Sequence, residues 1–200
     1  YMDIDSQYGT MEDFEQFMEA CNAREIHVIL DMVMNHTSAQ HPWFMEACDY
    51  LRTLEEGAEP SEEECKYFGY YNFSKKKTAD YYQVAGTDWY YEGKFWDQMP
   101  DLNLFNENVR KEFEEIVDFW LAKGVAGFRL DAVKEFESDN TAKNVEILTW
   151  FNDMVKSKKE DAYLVGEAWT GASTYARYYA SGIDSFFDFQ FGDSRGLISN

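Results

Sequence analysis

The chain has 200 residues, 45% of them apolar, with a formal net charge of −20 at pH 7. That length and composition support one globular domain with a sizeable core and exclude a disordered chain. The acidic balance argues against nucleic acid or an anionic membrane surface as a partner, and says little about a neutral ligand such as a sugar.

At the start of the chain, Thr10 with Asp13 three residues on reads as a capping box. Met11, Phe14, Phe17, Met18 and Cys21 then recur at spacings of three and four, which is one helical face with Cys21 as a buried hydrophobe. Ile26 to Leu30 is nearly all apolar, as in a parallel strand buried on both faces, and it ends abruptly in polar residues at Asp31, Asn35 and His36. Residues 37–98 break this rhythm and are too long for a plain loop, so they are expected to form an inserted domain between barrel segments 1–36 and 99–200. Within it, Leu54 to Cys65 is acidic and reads as a solvated surface stretch. Cys48 and Cys65 could pair, which the sequence leaves open, and no cysteine spacing resembles a zinc site.

Alternation resumes after the insertion. Asn106 or Asn108 can cap a helix whose apolar face is Val109, Phe113, Ile116, Val117, Trp120 and Leu121, with Gly124 closing its C-terminus. Strands are expected at Val125–Leu130, Tyr163–Val165 and Phe186–Phe189, with a helix through Val145, Leu148, Phe151, Met154 and Val155 between the first two. Repeated strand–helix units predict an α/β fold with a parallel sheet. A doubly wound sheet and a (β/α)8 TIM barrel both fit; a full barrel needs about 250 residues, so four strands and an insertion make about half of one. The chain starts in mid-pattern at Tyr1, as a piece of a longer protein would. No run of about 18 apolar residues is present, so no membrane insertion is expected in this segment.

The strand ends carry the functional signal. Successive strands deliver Asp31, then Arg129 and Asp131, then Glu167 and Trp169, and parallel sheets build their sites at the carboxyl ends of strands. Arg129 and Asp131 are two apart and point the same way, so the guanidinium is expected to keep Asp131 ionised. Glu167 follows an apolar strand, a setting expected to keep a carboxyl protonated. One ionised and one protonated carboxyl flanking a bond is the machinery of glycoside hydrolysis.

Four motifs, in order, make the chain similar to glycoside hydrolase family thirteen, the α-amylase family. They are Asp31-Met32-Val33-Met34-Asn35-His36, Met99-Pro100-Asp101-Leu102-Asn103, Gly127-Phe128-Arg129-Leu130-Asp131-Ala132-Val133-Lys134 and Gly166-Glu167-Ala168-Trp169. The resemblance implies barrel strands three to six. It makes Asp131 the nucleophile and Glu167 the acid/base of a retaining hydrolase. It makes His36, Arg129, Lys134, Glu135 and Trp169 the residues around the substrate, and Asn35, Asp101 and the Glu135 carbonyl the ligands of a calcium ion. Glu135 stands where many members have histidine, and the third family carboxylate has no counterpart in the chain. The expected substrate is an α-glucan or malto-oligosaccharide cut at α-1,4 bonds. The alternative is an α-glucosidase or oligo-1,6-glucosidase on short chains, and more remotely a non-catalytic binding relative or a transglycosylase. Polymeric starch would place the protein outside the cell. The segment by itself is expected to be inactive.

Overall fold

The computed structural model describes residues 1–138 and 140–189. In chain order the elements are α1 (Met11–Asn22), β1 (Ile29–Met32), α2 (Pro42–Thr53), β2 (Phe73–Ser74), β3 (Tyr81–Gln83), β4 (Tyr90–Glu92), α3 (Glu107–Ala122), β5 (Gly127–Leu130), α4 (Thr141–Lys158), β6 (Tyr163–Gly166), α5 (Ala172–Tyr178) and β7 (Ser185–Phe186). They fall into two compact units. Among the described residues, one holds 1–32, 112–134 and 140–189; the other holds 33–111 and 135–138.

The first unit is an α/β structure around a four-stranded parallel sheet in the order β1-β5-β6-β7. Two register pairs fix the later chemistry: Asp31 lies opposite Arg129, and Leu130 lies opposite Gly166, one residue before Glu167. β5 and β6 approach closely because position 127 is glycine. A Cβ there would sit 1.8 Å from the carbonyl oxygen of Tyr163. Helices α1 and α3 meet through Phe14 and Trp120, whose ring centroids are 5.2 Å apart, edge to face. Helix α4 covers the sheet, with the buried rings of Phe128 and Phe151 packed edge to face. Each fully buried side chain of this size contributes about 1.5–3 kcal/mol.

The expected elements are present, with shifts that have local causes. β1 runs two to three residues later than the apolar run implies, and Ile26 is exposed. β1 is an edge strand among the described residues and is only half-buried, not covered on both faces as expected. The helix caps are those read from sequence: Thr10 with Asp13 for α1, and for α3 Asn106, whose side chain accepts the amides of Asn108 and Val109. Gly124 adopts φ 87° just past α3. Phe17 departs from the expected buried face of α1 and is exposed, tilted against Phe14. The last strand begins at Ser185 and ends at Phe186, so Phe187–Phe189 lie outside it.

The second unit carries α2 and a three-stranded antiparallel sheet, β2-β4-β3. The weak periodicity of this region hides α2, although its marks are in the sequence: His41 caps it, Pro42 occupies the first turn, and Phe44, Ala47, Cys48 and Leu51 form the buried stripe. The core of the unit is aromatic, with Phe44 packed on Tyr71, Phe73 and Tyr91. Cys48 and Cys65 are both free thiols, so the pairing left open by the sequence is absent.

Candidate active site

At the carboxyl ends of β1, β5 and β6, one guanidinium gathers three carboxylates. Arg129 Nη1 lies 2.8 Å from Asp31 Oδ1 and 2.5 Å from Asp131 Oδ1, and Arg129 Nη2 lies 2.8 Å from Glu167 Oε2. Asp131 and Glu167 are also in direct hydrogen-bonding contact. The planar fork of arginine suits this sharing, because its donors point in fixed, separate directions. Burial opposes the charge on Arg129, yet its bonds to Asp31 and Asp131 raise its pKa above the ordinary value. Asp31 itself stands largely exposed, whereas Asp131 and Glu167 are about one-fifth exposed.

Backbone geometry places the pair. Asp131 leaves β5 with its amide on the carbonyl of Met32, and Glu167 leaves β6 with its amide on the carbonyl of Leu130. Between them Ala132 takes a left-handed conformation, φ 49°, which non-glycine residues rarely adopt. That turn aims its amide at Glu167 Oε2, 3.2 Å away, while the Val133 amide bonds the Glu167 carbonyl. The other carboxyl oxygen, Oε1, accepts the indole N–H of Trp169 at 2.9 Å.

Burial, hydrogen bonds and neighbouring charge act on both carboxyls. Burial pushes the Asp131 carboxyl above its usual range; the bond and charge of Arg129 pull it down, and contact with Glu167 pushes it up again. Burial also opposes ionisation of Glu167, but the bonds from Trp169 and Ala132 and the charge of Arg129 hold it below its usual range. All three donors to Glu167 come from outside the apolar strand that precedes it.

The remaining expected residues are placed as follows. Lys134 is half-buried, and its carbonyl accepts the buried Asn144 side chain of α4 at 2.7 Å. Asn144 also donates to the Tyr178 hydroxyl on α5, so one buried amide ties the segment after Asp131 to two helices. Trp169 is 59% exposed and stacks on Phe189 at 3.8 Å. His36, Asn35, Asp101 and Glu135 lie in the second unit. There His36 is buried, its ring edge-on to Phe95 at 5.3 Å, and burial pushes its imidazole below the ordinary value.

Two of the expected calcium ligands, Asn35 and Asp101, are hydrogen-bonded to each other. Asn35 Nδ2 donates to Asp101 Oδ1, and the Lys94 amide donates to Asp101 Oδ2, both at 3.0 Å. Burial pushes the Asp101 carboxyl up to about 7; the Lys94 amide opposes this, and the charges of Glu92 and Glu135 add to it. Carboxylate and amide oxygens such as those of Asp101 and Asn35 are of the type a hard cation takes. Among the described residues no three His, Cys, Asp or Glu side chains converge as a metal cage. The expected set uses one carboxylate, one amide and one carbonyl, and does not require such a cage.

Sequence reasoning missed the roles of Ala132, Asn144 and the Trp169 N–H. Only Asn144 left a trace, as a polar residue at a position that α4 buries.

The chain was then compared with known proteins. A family model described as the catalytic domain of alpha amylase matches residues 1–196. "Alpha-amylase 3" of Dictyoglomus thermophilum is 40% identical over 196 residues, covering 96% of this chain and 36% of that protein. "Oligo-1,6-glucosidase" of Parageobacillus thermoglucosidasius is 37% identical over 143 residues, covering 66% of this chain and 24% of that protein. Among solved structures, Eubacterium rectale Amy13B superposes with a TM-score of 0.96 at 52% identity, covering 100% of this chain and 38% of that one. The chain therefore spans well under half the length of these relatives.

Proposed function

The chain belongs to the α-amylase family of glycoside hydrolases by the match over residues 1–196, and we propose that the protein containing it cleaves α-1,4-glucosidic bonds of starch-like glucans with retention. The observation that supports this reading most is the cluster in which Arg129 joins Asp31, Asp131 and Glu167 from three strand ends. Asp131 is the nucleophile and Glu167 the acid/base. A sugar entering the site separates the two carboxyls, which now touch, toward the spacing of about 5–5.5 Å that a retaining pair needs. Asp131, paired to Arg129, reacts as the anion, and Glu167 carries the proton. Glu167 gives that proton to the leaving oxygen as an Asp131 carboxylate oxygen bonds the anomeric carbon. Glu167, again an anion, then takes a proton from the water that breaks the glucosyl ester. His36 hydrogen-bonds the sugar, Lys134 contacts the chain on the leaving side, and Glu135 and Trp169 contact the substrate. Residues 37–98 serve as the inserted domain.

Calcium would be held by Asn35, Asp101 and the carbonyl of Glu135, where it supplies positive charge to a buried carboxylate. Chelation should then lower the melting temperature of the full-length protein, and added calcium should restore it.

A second reading, an α-glucosidase acting on short oligosaccharides including α-1,6 bonds, draws on the relative named for 1,6 action. The full-length protein incubated with maltotetraose and with isomaltotriose separates the two, with the anomer of the fresh product read by NMR. The first reading predicts turnover of maltotetraose with α-anomer released. Release of the β-anomer would overturn the retaining mechanism. Preference for isomaltotriose would move the assignment to the second reading.

A further inference from the structure

We propose that Trp169 is a positioning residue for the acid/base, acting through its indole N–H on Glu167 and not only through its ring. The inference rests on the reading of Glu167 given above.

Glu167 has its two oxygens held by different partners. Oε2 takes the guanidinium of Arg129 and the amide of Ala132; Oε1 takes the Trp169 indole N–H. The first two donors are fixed by β5 and the left-handed turn after it, so they locate one oxygen only. A carboxyl pinned at one oxygen can still swing about that point. The indole bond at 2.9 Å stops the swing and fixes the plane in which the second oxygen faces. Trp169 is itself held, its ring stacked on Phe189 at 3.8 Å. An N–H donor favours the anion, so the bond also opposes protonation of Glu167. The other charged groups on this site are Arg129, which also favours the anion, and Asp131, with Asp31 reaching it only through Arg129. In the proposed cycle the anion is the form needed as base in the second half-reaction. A purely stacking tryptophan would do none of this, because an aromatic face without a donor leaves the carboxyl untouched.

The test uses the full-length protein and the variants Trp169→Phe and Trp169→His, with kcat/KM for a malto-oligosaccharide followed from pH 4 to 9. Phenylalanine keeps a ring against Phe189 and removes the donor; histidine keeps a ring and a donor. A hydrogen bond to a charged group is worth enough to move a pKa by about one unit. The basic limb, which reports the acid, should therefore move up by about one pH unit in Trp169→Phe and return toward its original place in Trp169→His. A rise in KM with an unmoved limb in Trp169→Phe would overturn the positioning role and leave a stacking residue. A limb that moves equally in both variants would also overturn it, since the donor would then be irrelevant. Glu167→Gln measured alongside keeps the two ideas apart. If that variant hydrolyses the natural substrate normally, the assignment of Glu167 itself has failed.

Discussion

Replacing Gly127 with alanine tests how the fold sets the site. The new Cβ would lie 1.8 Å from the Tyr163 carbonyl oxygen and 2.6 Å from the Tyr163 nitrogen, both backbone atoms with no rotamer to yield. Real Cβ contacts essentially begin at 3.0 Å, so 3.0 minus 1.8 leaves β5 and β6 about 1.2 Å to separate. That would stretch the bond from the Tyr163 amide to the Ala126 carbonyl from 2.9 Å beyond bonding range. Overpacking costs about 1–3 kcal/mol, and an unmade buried backbone bond about 1–3 kcal/mol more. Gly127→Ala should thus destabilise the full-length protein by about 2–6 kcal/mol in urea denaturation followed by circular dichroism. Any folded fraction should be slow, because the Arg129–Glu167 contact of 2.8 Å spans the same two strands. Gly171→Ala, where the added carbon meets nothing within 4 Å, should cost under about 1 kcal/mol. A Gly127→Ala protein within about 0.5 kcal/mol of the parent and fully active would refute the claim that this close approach sets the site.

Other outcomes follow from the same structure. Glu167→Gln should lose hydrolysis of natural glucans but keep the first step on aryl glucosides with good leaving groups, which need no proton; equal losses on both would count against Glu167 as the acid. Asn106→Ala removes the acceptor for two amides of α3 and should cost about 1 kcal/mol by urea titration, so an unchanged midpoint would contradict the cap. Burial pushes the Cys48 thiol up to about 12. At pH 8 the thiolate fraction is then about one in ten thousand. Iodoacetamide labelling mapped by mass spectrometry should leave Cys48 unmodified until the chain is unfolded, and labelling as fast as at the half-exposed Cys65 would show that the site is open.

The parallel sheet and helices α1, α3 and α4 were legible because these elements carry their own periodicity or caps, whereas α5, only seven residues long, was read as loop. Thr10, Asn106 and Gly124 marked helix ends, and the apolar runs before Arg129 and Glu167 marked strands. The second unit was less legible. Its strands are two or three residues long and its core is built of tyrosine and phenylalanine, which give no clear period over so short a span. The candidate site residues could be named from the motifs, but not the bonds that hold them. Glu167 is held by an alanine amide turned by a left-handed φ and by an indole N–H, and no spacing in the sequence announces either bond. β1 shifted for a related reason: strand limits follow from hydrogen bonds to β5, not from where the apolar run begins.

The central claim is that Asp131 bonds the sugar. A fluorinated α-glucosyl fluoride that forms the glucosyl ester quickly and releases it slowly should inactivate the full-length protein and add one glycosyl unit to its mass. Peptide mapping should place that unit on Asp131, and Asp131→Asn should take up none. A glycosyl unit on any other residue, or equal labelling of the Asp131→Asn protein, would contradict the account.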